Sequence, residues 1–151
     1  MATKLKTFVS RWNNRHVFFE AVIKKTCERV IKVLVSNTPG KTLPLQWTFD
    51  IESSEKGGVT GRIQNERLQE DPDFEEIMIY LDFGTVDHWI FPVNAEVLSW
   101  EEDGIRYFSK GHRVSGIQAS NFSAKAIIEI LKIKGKLQRW WETYMNTGRL
   151  P

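Results

Sequence analysis

The chain contains a single cysteine, Cys27, among 151 residues, which excludes a disulfide within it and fits folding in a reducing compartment. Long apolar runs are also missing. Ile127-Ile128 is typical of what there is, far short of a bilayer span. The stretch Met1 to Val9 carries Lys4 and Lys6 but no continuous apolar core of a secretory signal, so folding in the cytosol is expected. Only three histidines occur, and His88 and His112, taken with Asp82 and Asp87, match no familiar metal-ligand spacing. No Lys-Ser/Thr pair follows Gly57, Gly58 and Gly61, so these are turn glycines and not a phosphate loop. No serine, histidine and aspartate fall into a nucleophile–base–orienter arrangement. Cys27 lies among apolar neighbours, where a thiol packs and does not attack. The expectation is a protein with no catalytic site, no metal and no cofactor.

What is present is an ordinary globular composition, 41% hydrophobic and 26% charged, in a length that suits one domain over residues 1–151. The net charge of +2 hides an uneven distribution. Residues 1–47 hold nine Lys/Arg against two acids, residues 48–103 three against fifteen, and residues 104–151 nine against two. Blocks of opposite sign on different elements suit copies that stack or ring head to tail.

Between Asn14 and Val35, Phe18, Phe19, Val22, Ile23, Cys27, Val30, Ile31 and Leu34 recur every three or four positions, the stripe of an amphipathic helix. Asn13 or Asn14 can cap it, the start can lie as early as Lys4, and Asn37-Thr38-Pro39-Gly40 stops it. The period then changes to two, with Leu45, Trp47, Phe49 and Ile51 on one face of a strand over Thr42 to Ser53. Glu55-Lys56-Gly57-Gly58 supplies a turn, and Val59 to Ile63 returns as the hairpin partner. Gln64 to Asp73 is polar and reads as a loop, its acids Glu66, Glu70, Asp71 and Asp73 solvated. Three or four further strands are expected at Glu76 to Phe83, Trp89 to Val93, Glu96 to Trp100 and Ile105 to Ser109, with Asp103-Gly104 a hairpin turn. Lys110 to Ser120 reads as a loop. Asn121 or Ser123 then caps a second helix carrying Phe122, Ala126, Ile127, Ile130, Leu131, Ile133, Leu137, Trp140, Trp141 and Tyr144, interruptible at Gly135 and stopped by Gly148. The order predicts an α+β fold, a mostly antiparallel β-sheet packed against a long N-terminal helix and a C-terminal helix.

Two glycine-containing segments flanked by regular elements are candidate contact loops: Gly84, Thr85, Val86, Asp87, His88 and Trp89, and Lys110, Gly111, His112 and Arg113. Lys132, Lys134 and Lys136 add a basic stretch expected to meet acidic surface on another subunit. The same lysines with Arg139, Trp140 and Trp141 also support an alternative, a small basic nucleic-acid-binding module that stacks bases on its tryptophans.

Thr38-Pro39-Gly40-Lys41-Thr42 leading to Trp47, then Tyr80, Phe83-Gly84-Thr85, His88, Ile90 and Pro92, then Lys110-Gly111-His112 with Gly116-Ile117 and Phe122, form a sequence of short motifs over nearly the whole chain. In this order the chain resembles the head-tail joining and tail-completion family of tailed bacteriophages. It departs from that pattern after Pro39, where Asp-Thr-Gly is usual, and after His112, where no proline follows. The resemblance implies a non-enzymatic structural virion protein, assembled in the host cytoplasm, that forms a homo-oligomeric ring, a hexamer, at the neck or the head-proximal tail end. It further implies adjacent head-connector and tail-tube or tail-terminator proteins as partners, a lumen through which DNA passes without specific binding, and no membrane.

Overall fold

A computed structural model describes residues 2–39, 47–54, 57–71 and 73–151. The expected strand start with Leu45, the turn residues Glu55 and Lys56, and Pro72 lie outside them. The fold is α+β. Its elements run α1 (Ala2–Asn13), α2 (Arg15–Asn37), β1 (Trp47–Ser53), β2 (Val59–Asn65), the single turn α3 (Arg67–Glu70), α4 (Asp73–Phe83), β3 (His88–Ile90), β4 (Leu98–Glu102), β5 (Ile105–Ser109), β6 (His112–Val114), α5 (Phe122–Lys134) and α6 (Leu137–Thr147).

Helix α2 is the axis. Of the expected stripe, Phe18, Val22, Cys27, Val30 and Leu34 are buried and serve two cores, one at each end, whereas Ile23 and Ile31 are half-buried and Phe19 is exposed at its edge. At its N-terminal end Phe18 and Val22 meet Tyr144 and Met145, with Leu137, Trp140 and Trp141 packed around them. The chain turns at Asn14, and the carbonyls freed there are used: the Tyr144 hydroxyl lies 3.2 Å from the Asn14 carbonyl and 3.4 Å from that of Arg11. Arg11 in turn donates to the Met145 carbonyl near the end of α6 at 2.7 Å. At the other end Val30 and Leu34 pack with Phe74, Met78, Phe122 and Ala126, and Trp47 and Ile63 of the β1–β2 hairpin close the side. Strand β2 comes close enough to α2 that a Cβ at Gly61 would lie 2.6 Å from the Cys27 sulfur. Burial pushes the Cys27 thiol up from its ordinary value.

All strand pairing among the described residues is antiparallel, divided into three two-stranded ladders, β1–β2, β3–β6 and β4–β5. The Asp103-Gly104 turn joins β4 to β5 with both residues left-handed (φ 52° and 77°). Gly135 interrupts the last helical stretch, and Gly148 ends it in the left-handed conformation (φ 78°).

Three expectations are corrected. Glu76 to Phe83 forms the helix α4 and not a strand. Phe74, Met78 and Asp82 are buried along one helical face, and Asp73, Glu75 and Glu76 sit in the first turn, where the helix dipole favours carboxylates. Its alternating Ile77, Ile79 and Leu81 mimic a strand, but burial of the i, i+4, i+8 face prevails. The expected Gln64 to Asp73 loop contains the end of β2 and the turn α3, and the expected Lys110 to Ser120 loop contains β6.

A candidate assembly surface

The two candidate segments, more than twenty residues apart in sequence, form one structure. Strand β3 pairs with β6 in the register His88↔Val114, Trp89↔Arg113 and Ile90↔His112. Just before β3, Thr85 N–H donates to the Ile117 carbonyl at 2.9 Å, and Ile117 N–H donates to the Thr85 hydroxyl at 2.9 Å. Asp87 accepts from Gly116 N–H at 2.8 Å and pairs with Arg113 at 3.2 Å. His88 keeps its Nδ1 3.0 Å from the Val86 carbonyl, a local bond and not a ligand geometry.

Two glycines allow this closeness. Gly84 is left-handed (φ 76°), and a Cβ on it would lie 2.6 Å from the Ile117 carbonyl oxygen. A Cβ on Gly116 would land on the Thr85 carbonyl. Each segment therefore seats the other, and neither is a free loop.

Helices anchor the assembly from behind. Asn121, expected as a cap for α5, is left-handed and makes no side-chain cap bond. Asp82 supplies the cap from α4 instead. Its carboxylate accepts from Ser123 N–H at 3.2 Å and from the Ser123 hydroxyl, while Ser120 and Asn121 N–H groups bond the Leu81 and Asp82 carbonyls. The carboxylate is buried (4% exposed) at the positive end of α5, so dipole and hydrogen bonds act together. Asp82 thus has a structural task, and among the described residues no group of three His, Cys, Asp or Glu could hold a metal ion.

The outer face of this platform carries aromatic rings beside the exposed Asp87–Arg113 ion pair. Trp89 and Arg113 share the face presented to solvent, and Phe91 continues it, its ring stacked on Trp89 with centroids 6.3 Å apart and lying against Gly111. Val86, Trp89 and Phe91 are 82%, 60% and 64% exposed. Tyr80, Thr85, Val86, His88, Ser115 and Ile117 line an adjoining cleft of about 420 Å³. Behind β6, His112 packs against Trp100 of the β4–β5 hairpin, ring centroids 4.6 Å apart.

Lys132 and Lys134 lie apart from this platform, at the C-terminal end of α5, with Lys136 just beyond it. The helix places them about 15–18 Å along its axis from the end held by Asp82. Trp140 and Trp141, which the nucleic-acid alternative needs as a stacking platform, are half-buried in the helical core. Trp141 contacts Phe18 (5.1 Å) and stacks on Phe19 (5.8 Å), and Lys25 covers the Trp140 ring at 5.3 Å.

Sequence reasoning placed Gly116 and Ile117 in a motif without foreseeing their bonds to Thr85 and Asp87, and it missed Phe91 and the exposed Ile105, Tyr107 and Phe108 of β5. A signal existed for the last group, since Ile105, Tyr107 and Phe108 place apolar side chains on both faces of one strand. No helix among the described residues is long and apolar enough to cross a membrane. The sequence matches no family model and no curated protein, and the fold matches no solved structure.

Proposed function

We propose that this chain is a non-enzymatic structural subunit of a tailed-phage virion that assembles as a ring, a hexamer, at the head-tail neck or the head-proximal end of the tail. Through its outer surfaces it joins or completes the tail, between a head connector and a tail-tube or tail-terminator protein, and leaves a lumen for DNA. The observation that carries the reading is the exposed, stacked pair Trp89 and Phe91 on the rigid β3–β6 ladder, with Val86 exposed at the adjoining cleft, built from the two segments in which the family-like motifs fall. Exposed aromatic rings grouped on a rigid ladder often mark an interaction surface, and closed symmetric assembly is a common way to cover one. The glycine interlock and the Asp82 cap make that surface stiff, which lowers the entropy lost on docking.

The test is substitution of Trp89 and Phe91 together by serine in the virion-encoding genome, which leaves the backbone bonds of residues 84–89 in place. Particles should then stop at DNA-filled heads and separate tails, while the far-ultraviolet circular dichroism of the purified protein stays close to that of the parent. Full titres of intact virions would remove the reading.

A further inference from the structure

We infer that the seam between α2 and α5 is a binding strip for a phosphodiester backbone, recognising its charge and not its base sequence. The strip does not depend on the ring and needs no stacking on Trp140 or Trp141.

The two helices run antiparallel. Val30 and Leu34 pack with Phe122 and Ala126, Arg29 reaches Glu129 at 3.2 Å, and the Lys25 ammonium lies 5.3 Å from the Trp140 ring centre. On α2 the helical period puts Lys25, Arg29 and Lys32 on one stripe. On α5 it puts Lys125, Glu129 and Lys132 on one flank, and Lys136 continues that row because Gly135 and Lys136 keep right-handed helical angles (φ −64° and −99°). Since Glu129 pairs with Arg29, the two rows border the same seam. Lys134 sits on the other flank with Ile127 and Ile130 and takes no part.

Charge in the seam is unbalanced. Its six cations share Glu129, which already faces Arg29 at 3.2 Å and Lys132 at 3.5 Å. Among the described residues Lys25, Lys32, Lys125 and Lys136 make no ion pair. Of the two acids on α2, Glu20 lies off the stripe and Glu28 has a lysine one turn away on either side, Lys24 and Lys32. With Lys24 the count is seven cations against two acids, a net charge of +5. Lys25 and Arg29, Arg29 and Lys32, and Lys132 and Lys136 are like charges one turn apart, a spacing that weakens a helix and that an anion laid over it relieves. The side chains of Arg29 and Lys132 are 38% and 63% exposed, so such an anion can reach them.

Lysine decides the kind of anion. Five of the six cations are lysines. Protein interfaces are depleted in lysine, whereas lysine and arginine supply the counterions of nucleic-acid phosphates. From Lys125 to Lys136 the row is about 16 Å long, a length over which a duplex presents about ten phosphate charges. That is enough to engage every cation of the seam.

The experiment titrates the full chain with a short fluorescent DNA duplex of arbitrary sequence across salt concentration. Five net phosphate contacts should weaken the complex about 500-fold from about 50 to about 200 mM salt, and Lys32→Gln with Lys132→Gln should reduce that factor to about 40. Glu129 keeps Arg29 as its partner in this variant. Lys4→Gln with Lys6→Gln removes the same charge from α1, where Lys4 borders Met145 and Asn146 at the far end of α6, and should leave affinity and salt dependence within about twofold. A scrambled duplex should bind equally well. Equal losses in the two double variants would assign the binding to net charge and overturn the strip. Equal salt-dependent binding of polyglutamate, or a lower native mass in the Lys32 and Lys132 variant, would give the seam to an acidic protein surface instead, and no binding at about 50 mM salt would overturn the inference outright. The ring is judged separately, by the native mass of the parent protein without DNA.

Discussion

The two ends of this molecule use aromatic side chains in opposite ways. Around the N-terminal half of α2, Trp12, Phe18, Phe19, Trp141 and Tyr144 interlock through edge-to-face, stacked and tilted contacts, and Phe18 is completely enclosed. At the strand end Trp89, Phe91, Tyr107 and Phe108 are comparably bulky, yet their rings border water. At the helical end Phe18 and Tyr144 are buried and the carbonyls at the Asn14 break are bonded, while Phe8 and Trp12 at its edge stay about half exposed; the strand end is rigid in its backbone and its rings lie open without a buried aromatic beneath them. The contrast teaches that one end makes a fold and the other prepares a contact.

The sharpest way to break this comparison is to delete one aromatic from each end. Phe18→Ala should destabilise the monomer by about 3–5 kcal/mol, the usual cost of emptying a buried phenylalanine site. Phe108→Ser should leave denaturant unfolding of the monomer within about 0.5 kcal/mol and lose assembly instead. Equal losses at the two positions would erase the distinction.

Next in size is Gly116→Ala, which forces a methyl onto the Thr85 carbonyl and should cost about 1–3 kcal/mol. Hydrogen exchange should quicken at the Thr85 and Ile117 amides while the α2 amides stay protected. Uniform loss across both would mean that the platform and the helical body unfold as one unit. Asp82→Ala removes the cap that α4 lends to α5 and should cost about 1–2 kcal/mol, read as a lower unfolding midpoint with an unchanged denaturant slope. The smallest effect concerns Cys27. Its folded thiol is held above the ordinary value of 9.0 by burial, so its contribution is fully present below the unfolded thiol's pKa and declines as pH rises through the folded one. Stability should therefore sag slightly above about pH 9, and Cys27→Ser should flatten that limb.

Much of the helical end was legible in the sequence because one face is buried and the opposite face is polar, which prints a period of 3.6. The α2 stripe, the break at Gly135 and the stop at Gly148 follow directly. The β1–β2 and β4–β5 hairpins were legible through alternation and turn glycines. Helix α4 was not, because its outward Ile77 and Ile79 are apolar too, and two apolar faces cancel the helical period. The same masking hid the outward side of α5. The candidate segments at Gly84 to Trp89 and Lys110 to Arg113 were named, but their union through Gly116 and Ile117 depends on pairing between distant residues that local pattern does not encode. Asp82 acting as the cap of another helix is invisible for the same reason.

The central claim, that the open end is completed by further copies of the chain, is tested most directly by the native mass of the purified protein across concentration. The account predicts a single closed species of several subunits, six for the hexamer proposed, with no further growth as concentration rises. A particle that remains at the 17.6 kDa of one chain at high concentration, with Trp89 and Phe108 still in water, would contradict it.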